Sequence, residues 1–147
     1  AKQLAEEIKK NNKSGYFRWQ ISGDIFNKEY AKTIIEVARL LPEIKFWIYS
    51  RSKGCFDASY VLRENIQPIV SCDSENSSYY KNHVFNKFIP SYLGTLEQAE
   101  EFRPDIKWIT CPQQLGKIEL AGACVKCKLC INPPKNIGIH FQIKGAK

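Results

Sequence analysis

The chain has 147 residues, 44% hydrophobic and 25% charged, the size of one ordinary domain that buries about 70% of its unfolded surface without help from disulfides. Its six cysteines are too few for a disulfide scaffold, no stretch reads as a signal peptide, and the apolar runs fall far short of the roughly 20 residues that span a bilayer. A net charge of +7 permits contact with nucleic acid or another polyanion without establishing it.

The opening AKQLAEEIKKNN places Ala1, Leu4, Ala5 and Ile8 at the period of a surface helix that closes at Asn11, Asn12 and Gly15. YFRWQISGDIF then alternates aromatic and polar residues as a strand does, and breaks at Gly23. Asn27 offers a side-chain oxygen to cap a helix with apolar residues at Tyr30, Ile34, Ala38 and Leu41. Pro42 ends it, because proline disfavours helical geometry in the residue before it. IKFWIYSRS is rich in β-branched and aromatic residues and stays apolar up to Ser50, as a strand covered on both faces does. Strand, helix and strand at this spacing form a βαβ unit with parallel strands and a right-handed crossover.

The alternation continues with a helix expected over Asp57–Arg63, strands over QPIVSCD and HVFNKFI, and a capping box of Thr95 and Gln98 that opens the helix TLEQAEEF. DIKWITCP is a further strand, stopped by Pro112. From Cys111 to Pro134 the texture changes: four of the six cysteines, two glycines and three prolines read as a loop wrapped around a ligand, before NIGIHFQI supplies a last strand. The expected fold is α/β with a mostly parallel sheet and flanking helices, open or curved toward a partial barrel. The expected organisation is an α/β domain over 1–110, with a Cys-rich metal-binding segment and terminal strand over 111–147 packed on it.

Parallel α/β sheets bind ligands beyond the carboxyl ends of their strands. The strands above deliver Ser22, Gly23 and Asp24, then Ser50, Arg51 and Ser52, then Ser71, Cys72 and Asp73, and finally Cys111 to that end. Each has an ordinary reading too: Asp24 starts a turn, Ser50 and Ser71 satisfy nearby backbone, and Arg51 lies in solvent. The functional reading gives Gly23 a close backbone approach to a ligand, and Asp24 a hydrogen bond from an amine or hydroxyl.

Cys124, Cys127 and Cys130 form C-x2-C-x2-C, the local ligand run of iron–sulfur proteins, and need a fourth partner. Cys111, leaving a strand with Gly116 and Gly122 in the connection that follows, is the best candidate. Zinc also accepts four thiolates, but its loops usually contribute cysteines in pairs, so a 4Fe–4S cluster is placed ahead of zinc. Such a centre is anionic, and Lys126 and Lys128 partly neutralise it. Four protein ligands leave no open position, and closed sites hold a fold together or carry electrons more often than they do Lewis-acid chemistry. Cys55 is read as an ordinary thiol and Cys72 as a thiol at a strand end. His140 is read as a packed or hydrogen-bonded histidine, and His83 has no identifiable partner.

The run FRWQISGDIFNKEYAKTIIEVARLLPEIKFWIYSRS resembles the phage and mobile-element gene product 88 family. The resemblance rests on Ser22-Gly23-Asp24 at a strand end, the helix after Asn27, the Pro42-Glu43 turn, Tyr49-Ser50-Arg51-Ser52, Cys111-Pro112 and the Cys124–Cys130 cluster. That family is in turn similar to radical S-adenosylmethionine enzymes. The likeness implies S-adenosylmethionine near Ser22, Gly23, Asp24 and Arg51, with Asp24 where those enzymes place a glutamate for the cofactor's amino group. Their C-x3-C-x2-C reducing cluster is missing here. The absent methionine and that missing cluster suggest either the later part of a longer or split protein, with an N-terminal Cys-rich portion or partner chain, or a chain that has lost that site and keeps only the second cluster; the clustered thiols without a signal peptide suggest a reducing compartment, the cytoplasm of a bacterial host. The competing expectation is a nucleic-acid-binding or assembly module whose metal is a staple, with Lys126, Lys128, Lys135, Lys144 and Lys147 around it.

Overall fold

The computed structural model describes residues 1–20, 24–52, 64–81 and 88–143. Among the described residues the elements in chain order are α1 (Lys2–Asn11), β1 (Tyr16–Trp19), α2 (Lys28–Leu40), β2 (Lys45–Ser50), β3 (Ile66–Cys72), α3 (Ser77–Tyr80), β4 (Ile89–Gly94), α4 (Leu96–Phe102), β5 (Lys107–Thr110), α5 (Ala123–Cys127) and β6 (Ile137–Gln142). The fold is α/β with parallel strands and flanking helices, as the alternation predicts. Among the described residues, no helix is long and apolar enough to cross a membrane. The chain divides into two compact units, Ala1–Pro68 and Ile69–Lys147, so the Cys-rich segment lies in the same unit as β4 and β5.

In the first unit β1 and β2 run parallel, with Phe17 beside Phe46 and Arg18 beside Trp47. Side chains alternate across a strand, so Phe17, Trp19, Phe46 and Ile48 share one face. There the rings of Trp19 and Phe46 stack with centroids 6.0 Å apart, and Phe17 meets both edge-on. Ala5 and Ile8 of α1 and Ile34, Val37 and Ala38 of α2 complete this core. The cap expected of Asn27 is present, its Oδ1 accepting from the Tyr30 N–H at 2.8 Å. At the other end of α2, the carbonyls that a helix leaves unpaired are taken up by Asn65. Its Nδ2 donates to the carbonyls of Ala38, Leu41 and Ile44 at 3.0–3.1 Å.

The second unit orders its strands β3-β4-β6-β5, all parallel, so the last strand of the chain inserts between β4 and β5. α4 opens with the expected capping box of Thr95 and Gln98. Phe102 of α4 packs with Tyr92 and Trp108 in an aromatic cluster with centroids 5.5–6.2 Å apart. The Trp108 indole lies directly on Gly138, where an added Cβ would run into ring atoms Cζ3 and Cε3. A ring held this way by β5 and α4 cannot swing aside as the end of a flexible chain can. Gly138→Ala is therefore expected to destabilise the protein by about 1–3 kcal/mol in urea denaturation, the usual cost of overpacking. Combining it with Trp108→Leu should cost less than the sum of the two single changes; strict additivity would rule out the clash.

Some elements differ from expectation. The strand expected over HVFNKFI falls mostly outside the described residues, and the strand observed next is β4, which contains Pro90 and ends on Gly94. Proline lacks the N–H of a ladder and is normally excluded from central strands, which hid this one; here it takes the second position. β1 is shorter than expected because Gln20 turns left-handed at φ 54°. α3 and α5, of four and five residues, are too short to show a period. The helix expected over Asp57–Arg63, with Cys55 before it, and His83 lie outside the described residues.

Candidate metal centre

The site starts from the end of β5. The Cys111 N–H donates to the His140 carbonyl at 2.9 Å and carries the ladder one residue past Thr110. His140, 1% exposed, is hydrogen-bonded as expected: Nε2 meets the Gly94 carbonyl and Nδ1 the Thr110 hydroxyl, both at 2.9 Å. A carbonyl only accepts, so Nε2 carries the hydrogen, and the ring pins β4, β5 and β6 together. Trp108, Thr110, Gly138 and His140 therefore occupy the face of the sheet that α4 covers. By alternation Ile139, 0% exposed, points to the opposite face.

The Cys-rich segment is folded by a series of tight turns. The carbonyls of Cys111 and Pro112 accept from Leu115 and Lys117, reversing the chain after β5. Gly122 enters α5 with φ 69°, a left-handed position that glycine takes at no steric cost. Cys124 and Cys127, three residues apart on that helical turn, then lie on the same side. A continued helix would rotate Cys130 about 120° away from Cys124. Lys128 prevents this by turning left-handed at φ 58°, and its carbonyl accepts from Ile131 and Asn132, folding Cys130 back. Buried Ala123 and Ile131 anchor the loop.

All four cysteines expected to act together, Cys111, Cys124, Cys127 and Cys130, line one pocket, with Ala123, Leu129 and Ile139 among its other walls. The pocket is partly open to solvent. Among the described residues no group of three His, Cys, Asp or Glu side chains is disposed to hold a single metal ion. A zinc ion draws four sulfurs to about 2.3 Å from one point, whereas an iron–sulfur cluster gives each thiolate its own iron and holds the sulfurs apart around a cage. Lys126 and Lys128 are exposed on the same loop, where cations offset the charge of bound thiolates.

The strand-end residues of the first unit also converge, in part. The Asp24 carboxylate accepts from the Ser50 hydroxyl, from its neighbour Ile25 N–H at 2.6 Å, and from the Arg51 N–H at 2.8 Å. Both of its oxygens are thus engaged in tying the loop before α2 to the end of β2. Ser22 and Gly23 lie outside the described residues. In the second unit the Asp73 Oδ1 accepts from Glu75 and Asn76 N–H groups in a local turn, and Cys72 is 1% exposed within the core. Burial, with Asp73 and Cys72 nearby, pushes the Tyr92 hydroxyl pKa up. Sequence reasoning missed Asn65, whose carbonyl partners lie 21–27 positions away and leave no local pattern.

A family model described as Gene product 88 matches residues 1–133. The Gene 88 protein of Mycobacterium phage L5 is 26% identical over 128 residues, covering 82% of this chain and 52% of the relative. The chain thus spans about half the length of that relative. No solved structure matches. These comparisons support a phage gene-product family and give no support to kinship with radical S-adenosylmethionine enzymes.

Proposed function

The chain belongs to the Gene product 88 family, and from that premise we propose that this part of the phage protein binds a 4Fe–4S cluster through Cys111, Cys124, Cys127 and Cys130. The observation that carries the proposal is the shared pocket: two stretches of chain, one leaving β5 and one folded by the left-handed turns of Gly122 and Lys128, direct four thiols at the same space. When bound, such a cluster supplies one-electron transfer and a four-point crosslink.

The residues around it have separate tasks. Cys111 ties the group to the parallel sheet through its hydrogen bond with His140, and Ala123 and Ile139 keep water from one side. Lys126 and Lys128 bring positive charge to the loop. The loop in turn covers Ile139, the apolar face of β6 opposite α4.

The absorption spectrum of protein purified without oxygen tests the assignment. A brown protein that bleaches in air is expected. A colourless protein that releases zinc on acidification would replace the cluster by a structural zinc site on the same ligands. A colourless protein containing neither metal would overturn the reading.

A further inference from the structure

The face of β1 and β2 turned away from α1 and α2 carries polar atoms that the core does not explain. Arg18 stands beside Trp47 in register, and by alternation Tyr49 lies on the same face, opposite to Phe17, Trp19, Phe46 and Ile48. The Arg18 guanidinium sits over the Tyr49 ring, its Cζ 5.0 Å from the centroid. That contact holds the cation in place without giving it an oxygen. None of the ion pairs among the described residues includes Arg18.

Two donors on this face are buried without a partner. Trp47 is 4% exposed and its Nε1 has no acceptor; Arg18 Nε, on the neighbouring strand, has none either. Gln20, two residues past Arg18 and left-handed at φ 54°, leaves Oε1 buried without a donor. Trp19 Nε1 is also unpartnered, but Trp19 belongs to the core on the opposite face. Buried polar groups in folded proteins are nearly always paired, and an unpaired one is costly, so two adjacent donors in this state require a partner that supplies acceptors. Arg18 as a whole is only half-buried, so solutes reach part of it.

We infer that this face of the first unit binds the carboxylate of a small molecule that also carries a hydroxyl. A guanidinium edge presents two parallel N–H groups that match the two oxygens of a carboxylate, and the indole N–H adds a further donor. One half-buried cation balances one negative charge, which favours a carboxylate over a phosphate dianion; Lys45, on the same face, is exposed at the start of β2. The hydroxyl supplies the donor that Gln20 Oε1 lacks. These residues all lie in the first unit and Cys111–Cys130 in the second, so the inference does not depend on the metal centre.

The test is a heteronuclear NMR titration of the isotopically labelled chain with sodium glycolate, a hydroxycarboxylate small enough that size does not exclude it. Trp47→Phe identifies the Trp47 indole N–H signal. That signal and the Arg18 Nε–H signal should move saturably, at millimolar glycolate. The indole signals of Trp19, in the core, and of Trp108, already bonded to the Arg103 carbonyl, should stay in place. Arg18→Gln should weaken binding about 10- to 150-fold, the range for loss of a charge-assisted hydrogen bond. Arg18→Lys, which keeps the charge and loses the fork, should also weaken it and replaces Arg18→Gln as the test if that variant does not fold. No movement of the Trp47 signal with glycolate, equal movement with neutral glycolamide, or parent affinity in the folded variant overturns the inference. Tighter binding of inorganic phosphate than of glycolate overturns the assignment to a carboxylate.

Discussion

Cys111→Ala is expected to reduce bound iron to a small fraction of that in the parent protein, although the C-x2-C-x2-C run remains intact. The reason is geometric. Cys124, Cys127 and Cys130 come from one short loop, whereas Cys111 reaches the same pocket from the end of β5. Removing it would leave the proposed cluster one thiolate short. Cys72→Ala is the control, because Cys72 is 1% exposed in β3 and does not line the pocket: it should cost stability while leaving the iron content unchanged. Equal iron in the parent and in Cys111→Ala would remove Cys111 from the ligand set.

The same substitution should loosen the loop. α5 has five residues, far below the about 12–15 at which isolated helices become even marginally stable. Lys128 holds a left-handed conformation that costs a non-glycine residue roughly 1–2 kcal/mol. Buried Ala123 and Ile131 are a small apolar anchor against those costs. A ligand that binds only the folded loop would supply the balance, as metals do in small metal-bound modules. In hydrogen exchange, amides of 120–132 are expected to lose protection in Cys111→Ala and in chelator-treated protein, while α2 and β2 retain theirs.

Asn65→Asp is the second substitution with a large expected effect. The Asn65 amide is 9% exposed and donates to the carbonyls of Ala38, Leu41 and Ile44, closing the end of α2 and the turn into β2. Aspartate has nearly the same shape but replaces the donor by an oxygen that faces carbonyl oxygens. The expected loss is about 3–5 kcal/mol, the range for an uncompensated buried charge. Asn65→Ala, which removes the donor without adding repulsion, should cost less, about 1–3 kcal/mol. Urea denaturation of the two variants gives the order directly. An Asn65→Asp protein no less stable than Asn65→Ala would show that the amide donor is not what the carbonyls require.

These residues also mark where the sequence was informative. Caps are local, so Asn27 and the Thr95–Gln98 box were legible from spacing alone, and both are present. β2, β5 and β6 were legible because apolar, β-branched runs bounded by turn residues have few other readings. β4 was hidden by Pro90 and Gly94, since its place between β3 and β6 is decided by partners distant in the chain. The four cysteines expected to act together line one pocket, although among the described residues no group of three such side chains is disposed to hold a metal ion. What the spacing did not reveal was how they are brought together: the left-handed Lys128 that folds Cys130 back, and the His140 carbonyl that fixes Cys111. At the strand ends, Asp24, Ser50 and Arg51 converge as the fold rule implies, but the carboxylate faces the protein's own donors.

The most direct test is the iron and acid-labile sulfide content of protein purified and analysed without oxygen. One 4Fe–4S cluster per chain corresponds to about four iron and about four sulfide. About one zinc per chain with no sulfide, or no metal at all, would contradict the cluster.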